Sequence, residues 1–64
     1  MYRIFKRTWW KDRACTIPGP GRKTYMGSAQ SEQEAREKCA EWGLEDFGPS
    51  RRGPKGMAYE YERV

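Results

Sequence analysis

Arg3, Phe5, Arg7 and Trp9 set guanidinium groups beside aromatic rings at two-residue spacing near the start of the chain. In an extended strand successive side chains point to opposite faces, so these four share one face while Tyr2, Ile4, Lys6, Thr8 and Trp10 share the other. Arginine holds phosphate or carboxylate in a planar fork, and a neighbouring ring offers a stacking surface. That chemistry serves binding: such faces hold single-stranded nucleic acids, and the same residue types anchor protein–protein contacts. The plainer reading is structural, with Phe5 and Trp9 in a core and Arg3 and Arg7 paired with Glu60 and Glu62 across neighbouring strands. Trp9 and Trp10 cannot both enter one core without a bulge, so at least one indole is expected near solvent.

A second set of cations lies where strands cannot continue. Lys11, Arg13, Arg22 and Lys23 flank Ile17-Pro-Gly-Pro-Gly21, and Arg51, Arg52 and Lys55 stand within Gly48-Pro-Ser-Arg-Arg-Gly-Pro-Lys-Gly56. Proline donates nothing to a ladder and glycine brings no side chain to pack, so both stretches read as loops. Neither has the spacing or the strand-to-helix context of a phosphate-binding loop. Arg3, Arg7, Trp9, Lys11, Arg13, Arg22, Lys23, Arg51, Arg52 and Lys55 are therefore the candidate partner-binding residues. An enzyme is not expected: there is no histidine, no nucleophile motif and no carboxylate cluster to activate one. Nor is a cofactor or a metal. Cys15 and Cys39 form no C-x-x-C pair and have no histidine to complete a zinc site. With no secretion features they read as two reduced thiols rather than a disulfide, Cys39 in the core and Cys15 in a loop.

The elements that must position these residues follow from local pattern. Residues 2–10 and 22–29 read as strands joined by a long, partly rigid loop suited to antiparallel pairing. Ser31 and Glu34 have capping-box spacing, with the Ser31 hydroxyl accepting from the Glu34 amide and the Glu34 carboxylate returning to the Ser31 amide. A helix starts there, buries Ala35, Cys39 and Trp42 at i, i+4, i+7 spacing, and is expected to stop at Gly43. Residues 57–64 alternate again, with Met57, Tyr59 and Tyr61 on one face and Ala58, Glu60 and Glu62 on the other. The expected fold class is α+β: ββαβ, a three-stranded, mostly antiparallel sheet with one helix on one face.

At 64 residues the chain has room for one domain, residues 1–64, with a thin two-layer core. Nine aromatic residues supply bulk that a disordered chain would lack. Residues 1–25 hold seven basic residues against Asp12, a net +6, whereas residues 31–47 hold six acids against Arg36 and Lys38, a net −4. The molecule should be a dipole whose positive side attracts nucleic acid or an acidic protein face. No apolar run approaches the roughly 20 residues of a membrane span, so a soluble, cytoplasmic chain with no membrane partner is expected. An unpaired sheet edge could add to a partner's sheet or make a homodimer.

Two resemblances bear on function. Arg22-Lys-Thr-Tyr-Met-Gly-Ser-Ala-Gln-Ser-Glu-Gln-Glu-Ala-Arg36 looks like the strand-to-helix junction of plant AP2-type DNA-binding domains and of the arm-binding domains of phage integrases. Those domains imply a sheet docked in a DNA groove, although this chain lacks their third strand before the helix. Taken together, residues 2–10, 18–25, 31–39 and 59–62 resemble the small uncharacterised proteins carried by phages and prophages, a class that includes anti-CRISPR inhibitors. That resemblance implies stoichiometric, steric inhibition of a bacterial protein or nucleoprotein complex in the host cytoplasm, with a CRISPR effector complex as the leading target. The alternative is direct binding of DNA or RNA by the same basic and aromatic surface.

Overall fold

The strand that carries two aromatic faces occupies the middle of the sheet. In the computed structural model, which describes residues 1–64, the order is β1 (Tyr2–Arg7), β2 (Thr24–Ala29), α1 (Glu32–Phe47), a short 3-10 turn (Pro54–Gly56) and β3 (Ala58–Arg63). The sheet order is β2-β1-β3, with β1 antiparallel to both neighbours. The helix packs on one face, so the fold is α+β with ββαβ order, its third strand following the helix.

The alternation in β1 decides which side is which. Ile4 is fully buried against Ala29 and Ala35, ringed by Tyr2, Cys39, Trp42, Tyr59 and Tyr61. Small residues set the close approach of helix and sheet. The Trp42 ring lies over Gly27, where a Cβ would sit 2.9 Å from the ring, and meets Tyr59 edge-on at 5.8 Å. Arg3, Phe5 and Arg7 project from the opposite, open face.

The ends of the elements differ from the sequence reading for identifiable reasons. Ordered strand pairing of β1 stops at Arg7 rather than Trp10, because the Trp9 and Trp10 amides both turn to the Lys55 carbonyl, at 3.0 and 3.1 Å. Strand β2 begins at Thr24 rather than Arg22, and its pairing with β1 shifts between Ile4 and Phe5, leaving Met26 as a bulge. The helix runs through Gly43 to Phe47. Mid-helix glycine costs about 1 kcal/mol in propensity; here it is tolerated because Gly43 is buried where Arg51 packs, a Cβ there lying 3.2 Å from the Arg51 Cβ. The C-terminal stop is Gly48, whose φ of 83° is in the left-handed region and whose amide donates to the Leu44 carbonyl. At the other end the Ser31 hydroxyl accepts from the Glu34 amide at 3.1 Å. The Glu34 carboxylate returns to the Gln30 amide, one residue earlier than a capping box would place it, at 3.1 Å.

Candidate functional site

On the open face, rings and cations are already occupied by one another. Phe5 is only 4% exposed although no second layer covers it. Its roof is made of side chains: Tyr25 meets it edge-on at 5.9 Å, and Lys23 Nζ and Arg7 Cζ stand 4.8 and 5.7 Å from its ring centre. Arg7 Cζ also lies 4.1 Å from the Trp9 ring centre, and Arg3 Cζ lies 5.0 Å from that of Tyr25. Two carboxylates from β3 complete the lattice. Glu60 accepts from Trp9 Nε1 at 2.8 Å and faces Arg7 Nε at 3.8 Å. Glu62 accepts from the Tyr25 hydroxyl at 2.9 Å and from Lys23 Nζ at 3.1 Å, bonds that hold its carboxyl below the usual range. A base stacking on Phe5 or Trp9 must displace Arg7, and a phosphate placed there meets both carboxylates.

The other candidate cations gather at one end of the molecule. Antiparallel pairing brings the C-terminal end of β1, the N-terminal ends of β2 and β3 and the loops beside them to the same end. The two long loops are stitched together there by the Lys55 carbonyl, which takes the Trp9 and Trp10 amides, and by Trp10 lying against buried Gly56. Lys11 N donates to Ile17 O at 2.8 Å and Gly21 N to Thr8 O at 2.8 Å, closing the first loop. Asp12, its single acid, is spent internally: it accepts from the Thr16 hydroxyl and from the Thr16 and Ile17 amides, and these bonds lower its pKa. Lys11, Arg13, Arg22, Arg51, Arg52 and Lys55 are all exposed. The ion pairs of the structure use Arg7, Lys23, Arg36 and Lys38 instead. The expected single basic and aromatic surface is thus divided: Arg3, Arg7, Trp9 and Lys23 form an internally paired sheet face, and the six loop cations form a separate, uncompensated end.

A groove of about 510 Å³ runs between α1 and β3, lined by Arg36, Cys39, Ala40, Ser50, Arg51, Arg52 and residues 58–61. A neighbouring hollow shares Arg52, Ala58, Tyr59 and Glu60 with it and adds Trp9 and Trp10. Sequence reasoning placed Arg51 and Arg52 in a loop but missed this groove, because it depends on β3 being an outer strand and on the loop folding back against Gly43. Within and beside it, Arg36 bonds Glu32 and the Tyr61 hydroxyl. Burial, with Glu60 nearby, pushes the Cys39 thiol up, so it stays protonated near neutrality. Cys15 is exposed and both thiols are free. No three His, Cys, Asp or Glu side chains converge as a metal site would need. No helix is long and apolar enough to cross a membrane. Comparison with family models, with curated proteins and with solved structures finds no match to this chain.

Proposed function

We propose that this chain is a small, non-enzymatic binding protein of the phage-encoded kind, which blocks a bacterial macromolecular target by stoichiometric steric contact through its basic end. The observation that carries the reading is the division of charge just described. On the sheet face Arg7 and Lys23 are paired with Glu60 and Glu62 and Arg3 lies over the Tyr25 ring, whereas Lys11, Arg13, Arg22, Arg51, Arg52 and Lys55 are exposed with no ion-pair partner. Such an end attracts an acidic surface and steers its approach, while the acidic helix turns like-charged surfaces away. The target is an acidic face of a host protein or nucleoprotein complex; a CRISPR effector complex is the leading candidate through the resemblance to small phage proteins. A second reading, direct binding of DNA or RNA, is favoured by the same loop cations lying beside two half-buried tryptophans.

The two readings part on salt and nuclease. Tagged protein is used to capture partners from bacterial lysate with and without nuclease, and anisotropy is read with naked duplex and single strands. A protein target is captured after nuclease treatment and is lost on reversing Arg51 and Arg52 to glutamate. Direct binding instead gives a log–log salt slope of about −0.9 per duplex phosphate, or about −0.7 on single strands. That slope together with nuclease-sensitive capture overturns the first reading.

A further inference from the structure

The two outer edges of the sheet are finished differently. Strand β2 carries a bulge at Met26, and Lys38 Nζ reaches over to the Ser28 carbonyl at 2.9 Å. A bulge blunts a strand against further pairing, and here an ammonium from α1 also occupies an outward carbonyl of that edge. Strand β3 has neither. Its hydrogen-bond phase is set at both ends: Val64 N donates to Met1 O, whereas Met57 N donates to Pro54 O and Met57 O accepts from Gly53 N, away from β1. In an antiparallel pair the bonded positions alternate, so Ala58, Glu60 and Glu62 face β1 while the amides and carbonyls of Tyr59, Tyr61 and Arg63 point outward. At Tyr59 and Tyr61 these free groups border the groove that has α1 as its far wall and Arg51 and Arg52 at its rim.

We propose that this edge takes a fourth strand: an extended acidic segment of a protein partner, laid between β3 and α1. The proposal rests on the reading of a protein target with an acidic face and names the form in which that face is presented. Main-chain bonds to Tyr59 and Tyr61 supply the pairing, and side chains supply selectivity. Residues of the incoming strand opposite Tyr59 and Tyr61 turn to the helix side, where unpaired Arg51 and Arg52 favour acids. The residue opposite Glu60 turns to the open face, where an acid would sit across from a carboxylate, so that position must be neutral. The preferred segment therefore alternates acidic and neutral residues. The same carboxylates disfavour a second copy of this chain in the central registers: two-fold pairing of β3 with itself about Glu60 or Tyr61 sets Glu60 against itself or against Glu62.

The test is an NMR titration of the full-length, nitrogen-15-labelled chain with a capped heptapeptide alternating glutamate and valine. Controls are the same peptide with lysine for glutamate and one N-methylated at alternate amides. Strand addition shifts the Tyr59, Tyr61 and Arg63 amides and slows their hydrogen exchange about tenfold or more. Lysine peptide leaves them unmoved, N-methylation weakens binding at least about tenfold, and so does Arg51→Glu with Arg52→Glu. A glutamate peptide that shifts only the Lys11, Arg13 and Arg22 amides overturns strand addition and leaves the basic-end reading standing. A peptide that shifts nothing overturns it too, and the lysate capture then decides the basic-end reading separately. Protection of Tyr59 and Tyr61 that grows with protein concentration in the absence of peptide places a second copy on the edge and overturns the proposal.

Discussion

Arg7 is where a structural and a partner-facing guanidinium can be told apart, and Arg7→Met removes the charge while keeping an apolar stem over Phe5. Its Cζ lies 4.1 Å from the Trp9 ring centre and its Nε 3.8 Å from Glu60, with the side chain 21% exposed. A cation–π contact at that depth is worth about 1 to 1.5 kcal/mol, between the exposed and desolvated limits. The ion pair adds at most about 0.5 kcal/mol, because Glu60 is itself 31% exposed and its distance is long. Against this, Arg7 Nε is buried with no hydrogen-bond partner, and losing it returns part of the gain. The net loss is about 1 kcal/mol. With a melting entropy of about 2.1 cal/mol/K per residue, a chain this short should melt about 7 °C lower. Circular dichroism melts of Arg7→Met, Trp9→Leu and the double variant should show a coupling of about 1 kcal/mol. A melting temperature within about 2 °C of the parent, with coupling near zero, would refute the closed lattice and return Arg7 to the partner-binding surface.

The Trp42 ring rests on Gly27 and Tyr59 from a half-buried position, so Trp42→Ala should cost about 3 kcal/mol, the lower end for such a truncation and a large share of a small domain's stability. An unchanged thermal midpoint would mean that this ring does not hold helix to sheet. Ser31→Ala removes the acceptor for the Glu34 amide and should lower stability by about 1 kcal/mol while lysate capture is retained; capture lost with the fold intact would put Ser31 in the interface. Arg51→Glu with Arg52→Glu should abolish capture while stability stays within about 0.5 kcal/mol. Should that variant still capture its target, and substitutions at Glu37 or Glu41 abolish capture instead, the acidic helix is the working surface. Burial, and then its hydrogen bond to Asp46, push the Tyr59 hydroxyl up to about 12 from an ordinary 10.0. A folded-state value above the unfolded one makes its contribution complete below pH 10 and lost as pH rises through about 12. Ultraviolet titration should therefore show a late ionisation near pH 12 that Tyr59→Phe removes, and a late phase that survives this substitution, or no late phase at all, would contradict the burial.

Features set within a few residues were legible from sequence. The Ser31 cap, the order strand, strand, helix, strand, and the two faces of β1 and β3 follow from spacings of two to four positions, over which backbone geometry acts directly. The Arg3, Phe5, Arg7, Trp9 face was found in the same way, but not what it does. Its fate depends on Glu60 reaching Trp9 from 51 residues away and Glu62 reaching Lys23 from 39, contacts that exist only because β1 lies between β2 and β3. Gly43 misled for a related reason. A glycine in a helical pattern signals a stop by propensity, a cost of about 1 kcal/mol, yet Gly43 is buried where its missing Cβ makes room for Arg51, and the helix continues. Tertiary structure alone decided which cations are neutralised and which are left free. Charge pairing requires approach to within a few ångströms, and strand order, not sequence distance, determines which carboxylates come that close.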